Sequence, residues 1–396
     1  MFDIAHSNFI QYLSNQKSTY KRYLWDLIDH DDKLIGIIGA RGVGKTTYLL
    51  QYLENLDWPL KQKLYISADS LDFTNFSLVE VAREFSGFGG KVLVIDEIHK
   101  YKNFEIELKQ IYDMFDLKVI FSGSSALQLE HSKVDLSRRA FLYRVNGLSY
   151  KEFLEIKLGI SLRTYSLEDI LENHLDISYE ILKEIKPLEH WQEYLKSGFY
   201  PFYFENKRTY GLKLQETIST VIEVDIPSIF KIKYENIVNL KKLTKLICES
   251  KPYKLNMKEL SSKIGIDRET LYLYMDYLNK AKIFNILRSK HKGDNIFLKP
   301  EKIYLNNSNL NYTYSKKIEI GTIRETFFAN QLQDKYSVKI PNKGDFLIDD
   351  KYIVEVGGKN KSYEQIRDLP NSFLACDNIE VGIGNKIPLY LFGFMY

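Results

Sequence analysis

Cysteine is scarce in this chain of 396 residues, which contains only Cys248 and Cys376. The two lie far apart in the sequence and form no CxxC pair, which argues against a disulfide framework and against a cysteine zinc site. We therefore expect both to be small, buried, apolar residues of a protein in a reducing compartment.

Long hydrophobic runs and a strong excess of one charge are missing as well. No apolar run approaches the ~20 residues of a membrane helix, and residues 1–16 lack the basic start and apolar core of a signal peptide. The chain has 55 basic and 52 acidic residues, a formal net charge of +3 that by itself predicts no nucleic-acid binding. We expect a cytoplasmic protein with no membrane partner.

Short continuous apolar runs are the main feature of the first 150 residues. Such runs are typical of strands buried on both faces of a sheet, and they occur at 34–38, 63–67, 91–97 and 117–123. Stretches with helical spacing lie between them, and residues 139–149 could supply a last strand. The alternation predicts an α/β domain over residues 1–150, with a parallel sheet and helices on both faces.

The pattern changes in the rest of the chain. Residues 151–235 have helical spacing, and residues 236–310 contain two helices separated by a short turn at 265–267, the outline of a winged-helix unit. A helix and several short strands follow in residues 311–396 and predict a small α+β domain.

A phosphate-binding motif, GxxxxGK[ST], occupies residues 39–46, after an apolar strand and before an amphipathic helix. Glycines let backbone N–H groups converge on a phosphate, and the helix start adds its positive dipole end. Lys45 would place an ammonium between the β- and γ-phosphates, and the Thr46 hydroxyl would ligate Mg²⁺. We predict an ATP site formed by Gly39, Ala40, Arg41, Gly42, Val43, Gly44, Lys45, Thr46 and Thr47.

Two acids directly follow the apolar run at residues 92–95. In a parallel sheet, ligands bind at the carboxyl ends of the strands, so a carboxylate there can reach a metal ion. We predict that Asp96 holds Mg²⁺ together with Thr46, and that Glu97 orients and polarises the attacking water.

Serines and arginines complete the predicted catalytic set. Ser122 and Ser124 end the next apolar strand, and if that strand lies between the two described above, one of them would sense the γ-phosphate. The alternative is a serine-rich turn that caps the following helix. Arg138 or Arg139 could stabilise the transferring phosphoryl group, in the same chain or in a neighbouring subunit, and the alternative is a pair of exposed surface arginines.

These segments resemble a large group of prokaryotic AAA-type ATPases, over nearly the whole chain. The resemblance rests on GARGVGKTTYLLQYL, VLVIDEIHKYKNFEIELKQIYD, VIFSGSS, DLSRRA, LSYKEFLE, SGFYPFY and VIEVDIP. It implies an N-terminal ATPase that binds and hydrolyses ATP, a helical region, a winged-helix-like unit and a C-terminal nuclease-like domain of unknown function. It implies no particular substrate.

The sequence from Asp96 to His99 also spells the DExH box of helicases. A second motor domain with its own arginine motif is not found. We therefore interpret His99 as a polar residue at a helix start.

The C-terminal region contains a second constellation of acids. Asp345 begins an apolar strand, a turn follows at Asp349–Asp350, and Glu355 lies on the returning strand, with further strands expected at 379–383 and 388–394. This resembles the core of PD-(D/E)xK nucleases, in which carboxylates bind Mg²⁺ and a lysine activates water.

Two more residues belong to this possible second site. Glu325, on the preceding helix, could supply a further acid. The usual lysine position, two residues after Glu355, is a glycine, so Lys359 on the same strand face is the candidate. The alternative is an inactive fold used for recognition or assembly.

The two-helix unit has two interpretations. Tyr272, Tyr274 and Tyr277 could stack on bases, and Lys263 and Arg268 could contact phosphates. The same spacing also occurs in modules that serve only packing or dimerisation.

We carry three functional hypotheses. The first is an Mg²⁺-dependent ATPase that acts as a conformational switch, with a DNA- or protein-binding C-terminal region. The second is an ATP-regulated nuclease, and the third is a regulator that binds ATP without hydrolysis to set its assembly. The oligomeric state stays open, with a homo-oligomer as one option.

Overall fold

A computed structural model describes residues 2–69, 77–126, 136, 138–249, 256–289, 300, 302–315 and 317–396. The chain divides into two compact units, Met1–Asn146 and Gly147–Tyr396. No helix in the described ranges is both long enough and apolar enough to cross a membrane.

The first unit is built around a five-stranded parallel sheet with the strand order β2-β3-β4-β1-β5. Its strands are β1 Leu34–Gly39, β2 Lys63–Ser67, β3 Val92–Asp96, β4 Lys118–Ser124 and β5 Phe141–Val145. Its helices are α1 Phe2–Asn15, α2 Leu24–Leu27, α3 Lys45–Asn55, α4 Leu78–Gly87 and α5 Phe104–Met114.

Burial explains why the apolar runs form the strands of this sheet. All six residues of β1 and all five of β3 are buried. Helices α4 and α5 contribute Phe85, Leu108 and Ile111 to the core cluster, which also includes Leu93 of β3 and Val119 of β4. The parallel sheet, its strand order and the covering helices fit the P-loop NTPase fold, which confirms the predicted α/β class of this region.

The second unit begins with helices and ends with a sheet. Its helices are α6 Tyr150–Leu158, α7 Leu167–Glu184, α8 Trp191–Glu193, α9 Tyr210–Thr220, α10 Ile226–Phe230, α11 Tyr234–Glu249, α12 Met257–Ile264, α13 Arg268–Lys280, α14 Ser308–Tyr314 and α15 Ile320–Leu332. Its strands are β6 Phe284–Leu287, β7 Lys302–Leu305, β8 Val338–Lys339, β9 Phe346–Ile348, β10 Tyr352–Gly357, β11 Ser372–Cys376 and β12 Lys386–Pro388. The predicted divisions at residues 235 and 310 stay predictions.

The C-terminal sheet has the order β12-β11-β10-β9-β8. Its β9–β10 hairpin turns at Asp349 and Asp350, which have φ angles of 49° and 56°, in the left-handed region that hairpin turns require. The strand predicted at residues 388–394 is wrong: residues 389–394 form a fully buried 3₁₀ helix. A wholly apolar run does not distinguish a buried helix from a buried strand. The strand predicted at 379–383 is also not formed, and β11 was not predicted.

The two-helix unit forms where it was predicted. Asp267 caps α13 by accepting a hydrogen bond from the Thr270 backbone N–H at 2.8 Å, and the antiparallel pair β6–β7 follows. Tyr274 is only 6% exposed, and Tyr277 stacks on Phe230 with the ring centroids 3.9 Å apart. Tyr277 thus packs on a residue of α10, outside the two-helix unit, and the winged-helix assignment stays a prediction.

Candidate functional site

The glycine-rich loop joins β1 to α3 at the carboxyl edge of the first sheet. Gly42 and Gly44 have φ angles of 83° and 97°, a backbone conformation that a side chain disfavours. Helix α3 begins at Lys45, so the amide end of the helix adjoins the loop. The Lys45 ammonium is buried and donates to the carbonyl oxygens of Gly39 and Ala40, both at 3.1 Å.

Asp96 ends β3 beside this loop and is 2% exposed. Its Oδ2 accepts hydrogen bonds from the Thr46 hydroxyl at 2.6 Å and from the Tyr65 hydroxyl at 2.8 Å. Its Oδ1 accepts from the Ser122 hydroxyl and from the Glu97 amide, the latter at 3.1 Å. The fold thus brings together the hydroxyl and the carboxylate that were predicted to share a metal ion.

Glu97 has a strained backbone, with φ 52° and ψ 41° in the left-handed region. Its amide donates to the Ser122 hydroxyl oxygen at 3.0 Å, and the same amide approaches Asp96. A left-handed backbone conformation at a residue other than glycine persists only where the surrounding structure restrains it, and such residues are concentrated at functional sites. The side chain is one-fifth exposed.

The two candidate serines have different surroundings. Strand β4 does lie between β1 and β3, as the sensor prediction required. Ser122 is fully buried and its hydroxyl donates to Asp96, so it orients that carboxylate. Ser124 pairs with Gly39 in the register of the two strands, so it lies at the level of the loop. Ser124 is therefore the better placed of the two to meet a phosphate.

Arg138 and Arg139 lie near the opposite edge of the sheet. Phe141 at the start of β5 pairs with Ile35 near the start of β1, whereas the loop follows the end of β1. Arg139 also forms an ion pair with Asp113, with Nε and Oδ1 3.0 Å apart. A contact of either arginine with the phosphoryl group, in the same chain or in a neighbouring subunit, stays a prediction.

Two residues that support the site, Tyr65 beside Asp96 and Arg22 beside the loop, were not predicted. Tyr65 on β2 donates to Asp96, and burial together with the nearby Asp96 charge raises the pKa of its hydroxyl. Arg22 is buried and donates to the carbonyl oxygens of Val43 at 2.8 Å and Asn146 at 2.9 Å. Both lie outside any motif, so only the topology of the sheet could have indicated them.

The C-terminal acids do converge, around a lysine that was not predicted. The Lys302 ammonium on β7 lies 3.4 Å from a Glu325 oxygen and 3.1 Å from an Asp345 oxygen. The Tyr304 hydroxyl donates to Glu325, and the second Asp345 oxygen accepts from the Val356 amide at 2.9 Å. We call Lys302, Glu325, Asp345, Glu355 and Lys361 the C-terminal charge cluster.

Lys361, and not Lys359, contacts Glu355. The Lys361 Nζ lies 2.6 Å from Glu355 Oε1, whereas the Lys359 side chain is exposed and its carbonyl oxygen accepts a hydrogen bond from Lys386. The other Glu355 oxygen, Oε2, is buried and has no hydrogen-bond partner among the described residues. Burial raises the pKa of Glu355, and the nearby Asp345 charge raises it further, against the opposing effect of Lys361.

Among the described residues, neither site contains a set of three or more side chains that could bind a metal ion without further ligands. Within the described ranges, no three His, Cys, Asp or Glu side chains are arranged to hold an ion.

Two parts of the chain match models of described families. The model of the AAA domain family (AAA_14) matches residues 31–154, and the model of a domain of unknown function (DUF8612) matches residues 188–317. An uncharacterised protein of Methanocaldococcus jannaschii is 26% identical, with 95% of this chain and 88% of the relative covered. Residues 31–154 are thus similar to the AAA domain family, which supports an AAA-type P-loop domain in that part of the chain.

Solved structures give weaker matches. AMPPCP-bound DnaA from Aquifex aeolicus is 14% identical, covering 71% of this chain and 88% of that one, with a TM-score of 0.24. The Hsp104–ADP complex of S. cerevisiae is 16% identical, covering 71% of this chain and 38% of that one, with a TM-score of 0.27. Scores this low establish no common overall fold.

Proposed function

We propose that this chain binds ATP with Mg²⁺ at residues 39–47 and hydrolyses it, and that the reaction drives a conformational switch coupled to the C-terminal region. The observation that carries the proposal is the 2.6 Å hydrogen bond between the Thr46 hydroxyl and Asp96 Oδ2. A hydroxyl and a carboxylate oxygen at one point, beside a glycine-rich loop and a helix start, match the donor set that Mg²⁺ and a triphosphate need.

The residues of the chain have separate roles in this reaction. The loop amides and the Lys45 ammonium bind the phosphates, which requires Lys45 to leave the carbonyl oxygens of Gly39 and Ala40. Thr46 and Asp96 would hold Mg²⁺, which supplies charge neutralisation at the β- and γ-phosphates when bound. Glu97 orients the attacking water, and Ser124 contacts the γ-phosphate.

The test is phosphate release from ATP and Mg²⁺ by the wild-type chain and by Glu97→Gln. We expect the substitution to lower kcat by at least about 100-fold, the scale of a lost general base, with little change in ATP affinity. Glu54→Gln, an exposed acid on α3, is the matched control and should behave as wild type. Wild-type turnover by Glu97→Gln would refute the assignment, and tight ATP binding by a wild-type chain that releases no phosphate would favour the non-hydrolysing regulator.

The partner of the C-terminal region is proposed to be DNA or a protein. The packing of Tyr274 and Tyr277 within the second unit favours a protein, because rings held in this way are not available to stack on bases. The ATP turnover rate with and without duplex or single-stranded DNA distinguishes the two. Strong stimulation by DNA would select the nucleic-acid partner.

A second candidate function, an ATP-regulated nuclease, is favoured by the C-terminal charge cluster. Asp345 and Glu355 would bind the metal, and Lys361 rather than Lys359 would be the lysine beside it. The Lys302 ammonium opposes this candidate, because it lies beside Asp345 and Glu325 and would have to move. Plasmid cleavage with Mg²⁺ or Mn²⁺ that is lost in Asp345→Asn would support a nuclease, and intact plasmid in every nucleotide state would exclude it.

A further inference from the structure

His99 lies inside the candidate ATP site, between the residue proposed to orient water and the end of β4. Its side chain is only 1% exposed. Its Nδ1 lies 3.4 Å from Glu97 Oε2 and 3.3 Å from the Ser124 backbone nitrogen. The imidazole is held there by a short 3₁₀ turn, Ile98–Lys100, that directly follows Glu97.

One ring nitrogen therefore faces two partners with opposite requirements. The Ser124 N–H is a donor and needs a lone pair on Nδ1, whereas the Glu97 carboxylate is an acceptor and needs a proton there. Nδ1 can satisfy only one of them at a time. The tautomer of the ring therefore decides whether His99 binds the end of β4 or the side chain of Glu97.

The two partners lie at the ends of neighbouring strands, Glu97 directly after β3 and Ser124 at the end of β4. Ser124 pairs with Gly39, the first residue of the glycine-rich loop, so it lies on the side of the site where the loop would bind phosphates. Glu97 has a fixed backbone, because its amide is bound by Ser122 and Asp96. The freedom that remains at Glu97 is in its side chain, and His99 contacts the end of that side chain.

We propose that His99 is a positioning residue that sets the orientation of Glu97 according to the state of the β4 end. When Nδ1 donates to Glu97, it holds the carboxylate in the orientation from which Glu97 orients water. When Nδ1 accepts from the Ser124 amide, Glu97 loses this support. This inference rests on the proposed ATP hydrolysis and adds a coupling between phosphate sensing and the water-orienting residue.

The test compares His99→Leu, His99→Asn and His99→Gln with the wild type in steady-state ATP hydrolysis. Leucine removes both contacts. Asparagine offers a carbonyl oxygen and an amide N–H near the position of Nδ1 and can satisfy both partners, whereas glutamine carries these groups one bond further out. We expect His99→Leu to lower kcat by about 10- to 100-fold, the scale of a misplaced catalytic group, with the KM for ATP unchanged.

Rescue of kcat by His99→Asn distinguishes a positioning role of His99 from a role in packing alone. We expect His99→Asn to retain kcat within about threefold of wild type and His99→Gln to fall between asparagine and leucine. Wild-type kcat in His99→Leu would overturn the inference, as would an asparagine variant as slow as the leucine variant. If His99→Leu does not fold, as judged by circular dichroism, the Asn and Gln variants decide alone, and equal rates in them count against the inference.

The same measurements separate the inference from the function on which it rests. A wild-type chain without ATP turnover refutes both. Turnover by the wild type that His99→Leu leaves undiminished refutes the role of His99 and leaves the ATPase intact.

Discussion

The carboxylates of the two charged sites of this chain are stabilised by different kinds of partner. In the first unit, the described contacts of Asp96 are made by neutral donors: the hydroxyls of Thr46, Tyr65 and Ser122 and the amide of Glu97. In the second unit, the acids of the C-terminal charge cluster are neutralised by the ammonium groups of Lys302 and Lys361.

This difference determines how readily the carboxylates of each site can bind a metal ion. A carboxylate held by hydroxyls can exchange one neutral hydrogen bond for a metal ion without losing a charge partner. A carboxylate paired with a buried lysine must first give up that partner, and an unpaired buried charge costs several kcal/mol. The comparison thus favours ligand binding at Asp96 and a mainly structural cluster at Lys302, and three substitutions can break or sharpen it.

The largest effect is expected for Lys302→Met. Lys302 is 7% exposed and contacts two acids, so its loss removes the buried ammonium that lies beside Glu325 and Asp345. We expect the free energy of unfolding to fall by about 3 kcal/mol in chemical denaturation. Lys213→Met, which removes an exposed ion pair to Glu205, is the control and should cost less than about 1 kcal/mol. Equal losses in the two variants would contradict a structural cluster.

A smaller effect is expected for Tyr65→Phe. The substitution removes one of the four donors to Asp96 and keeps the ring that packs on Tyr12, 5.0 Å away between centroids. A hydrogen bond to a charged group contributes about 1.5 kcal/mol or somewhat more, and we expect a loss of that size in unfolding free energy. Tyr12→Phe should leave stability unchanged, because that side chain is half-exposed. No loss in Tyr65→Phe would mean that Asp96 is held without this hydroxyl.

The smallest effect, and one that depends on pH, is expected for Glu355→Gln. The pKa of Glu355 is raised above its ordinary value of 4.5, so the folded chain binds more protons than the unfolded chain in the pH range just above that value. Stability contributed by this group is therefore highest at low pH and falls as pH rises through the raised pKa. We expect Glu355→Gln to flatten this decline and to change stability at neutral pH by about 1 kcal/mol or less, because the remaining Lys361 is 38% exposed.

The measurement is the free energy of unfolding of both chains from pH 4 to pH 8, a range that spans the ordinary glutamate pKa of 4.5. Parallel curves for the wild type and Glu355→Gln would show that Glu355 does not carry a raised pKa. A steep new loss of stability in Glu355→Gln would show that, in the wild type, the ion pair between Glu355 and Lys361 stabilises the fold by more than the burial of Glu355 costs.

The first site could be predicted from the sequence because its residues lie in contiguous motifs at strand ends. Residues 39–46 and the pair Asp96 and Glu97 follow apolar runs that form parallel strands, and parallel strands place their carboxyl ends at one edge. Tyr65 could not be predicted, because its role depends on β2 lying next to β3. Arg22 likewise acts through a carbonyl 21 residues away in the chain.

The second site was harder to predict because its members come from separate elements. Glu325, Asp345 and Glu355 were expected together, but Lys302 comes from the short pair β6–β7, whose register no local pattern sets. The lysine beside Glu355 is Lys361, which lies beyond the end of β10 at Gly357. Strand alternation, which pointed to Lys359, no longer applies there.

The central claim is that the loop at residues 39–47 binds a nucleotide and that Lys45 contributes to this binding. Calorimetric titration of ATP and Mg²⁺ into the wild-type chain and into Lys45→Ala tests it most directly. We expect one nucleotide per wild-type chain and an affinity weaker by about 100-fold in Lys45→Ala, the scale of two to three kcal/mol for a charge-assisted contact. No binding to the wild type, or equal binding to both chains, would contradict the account.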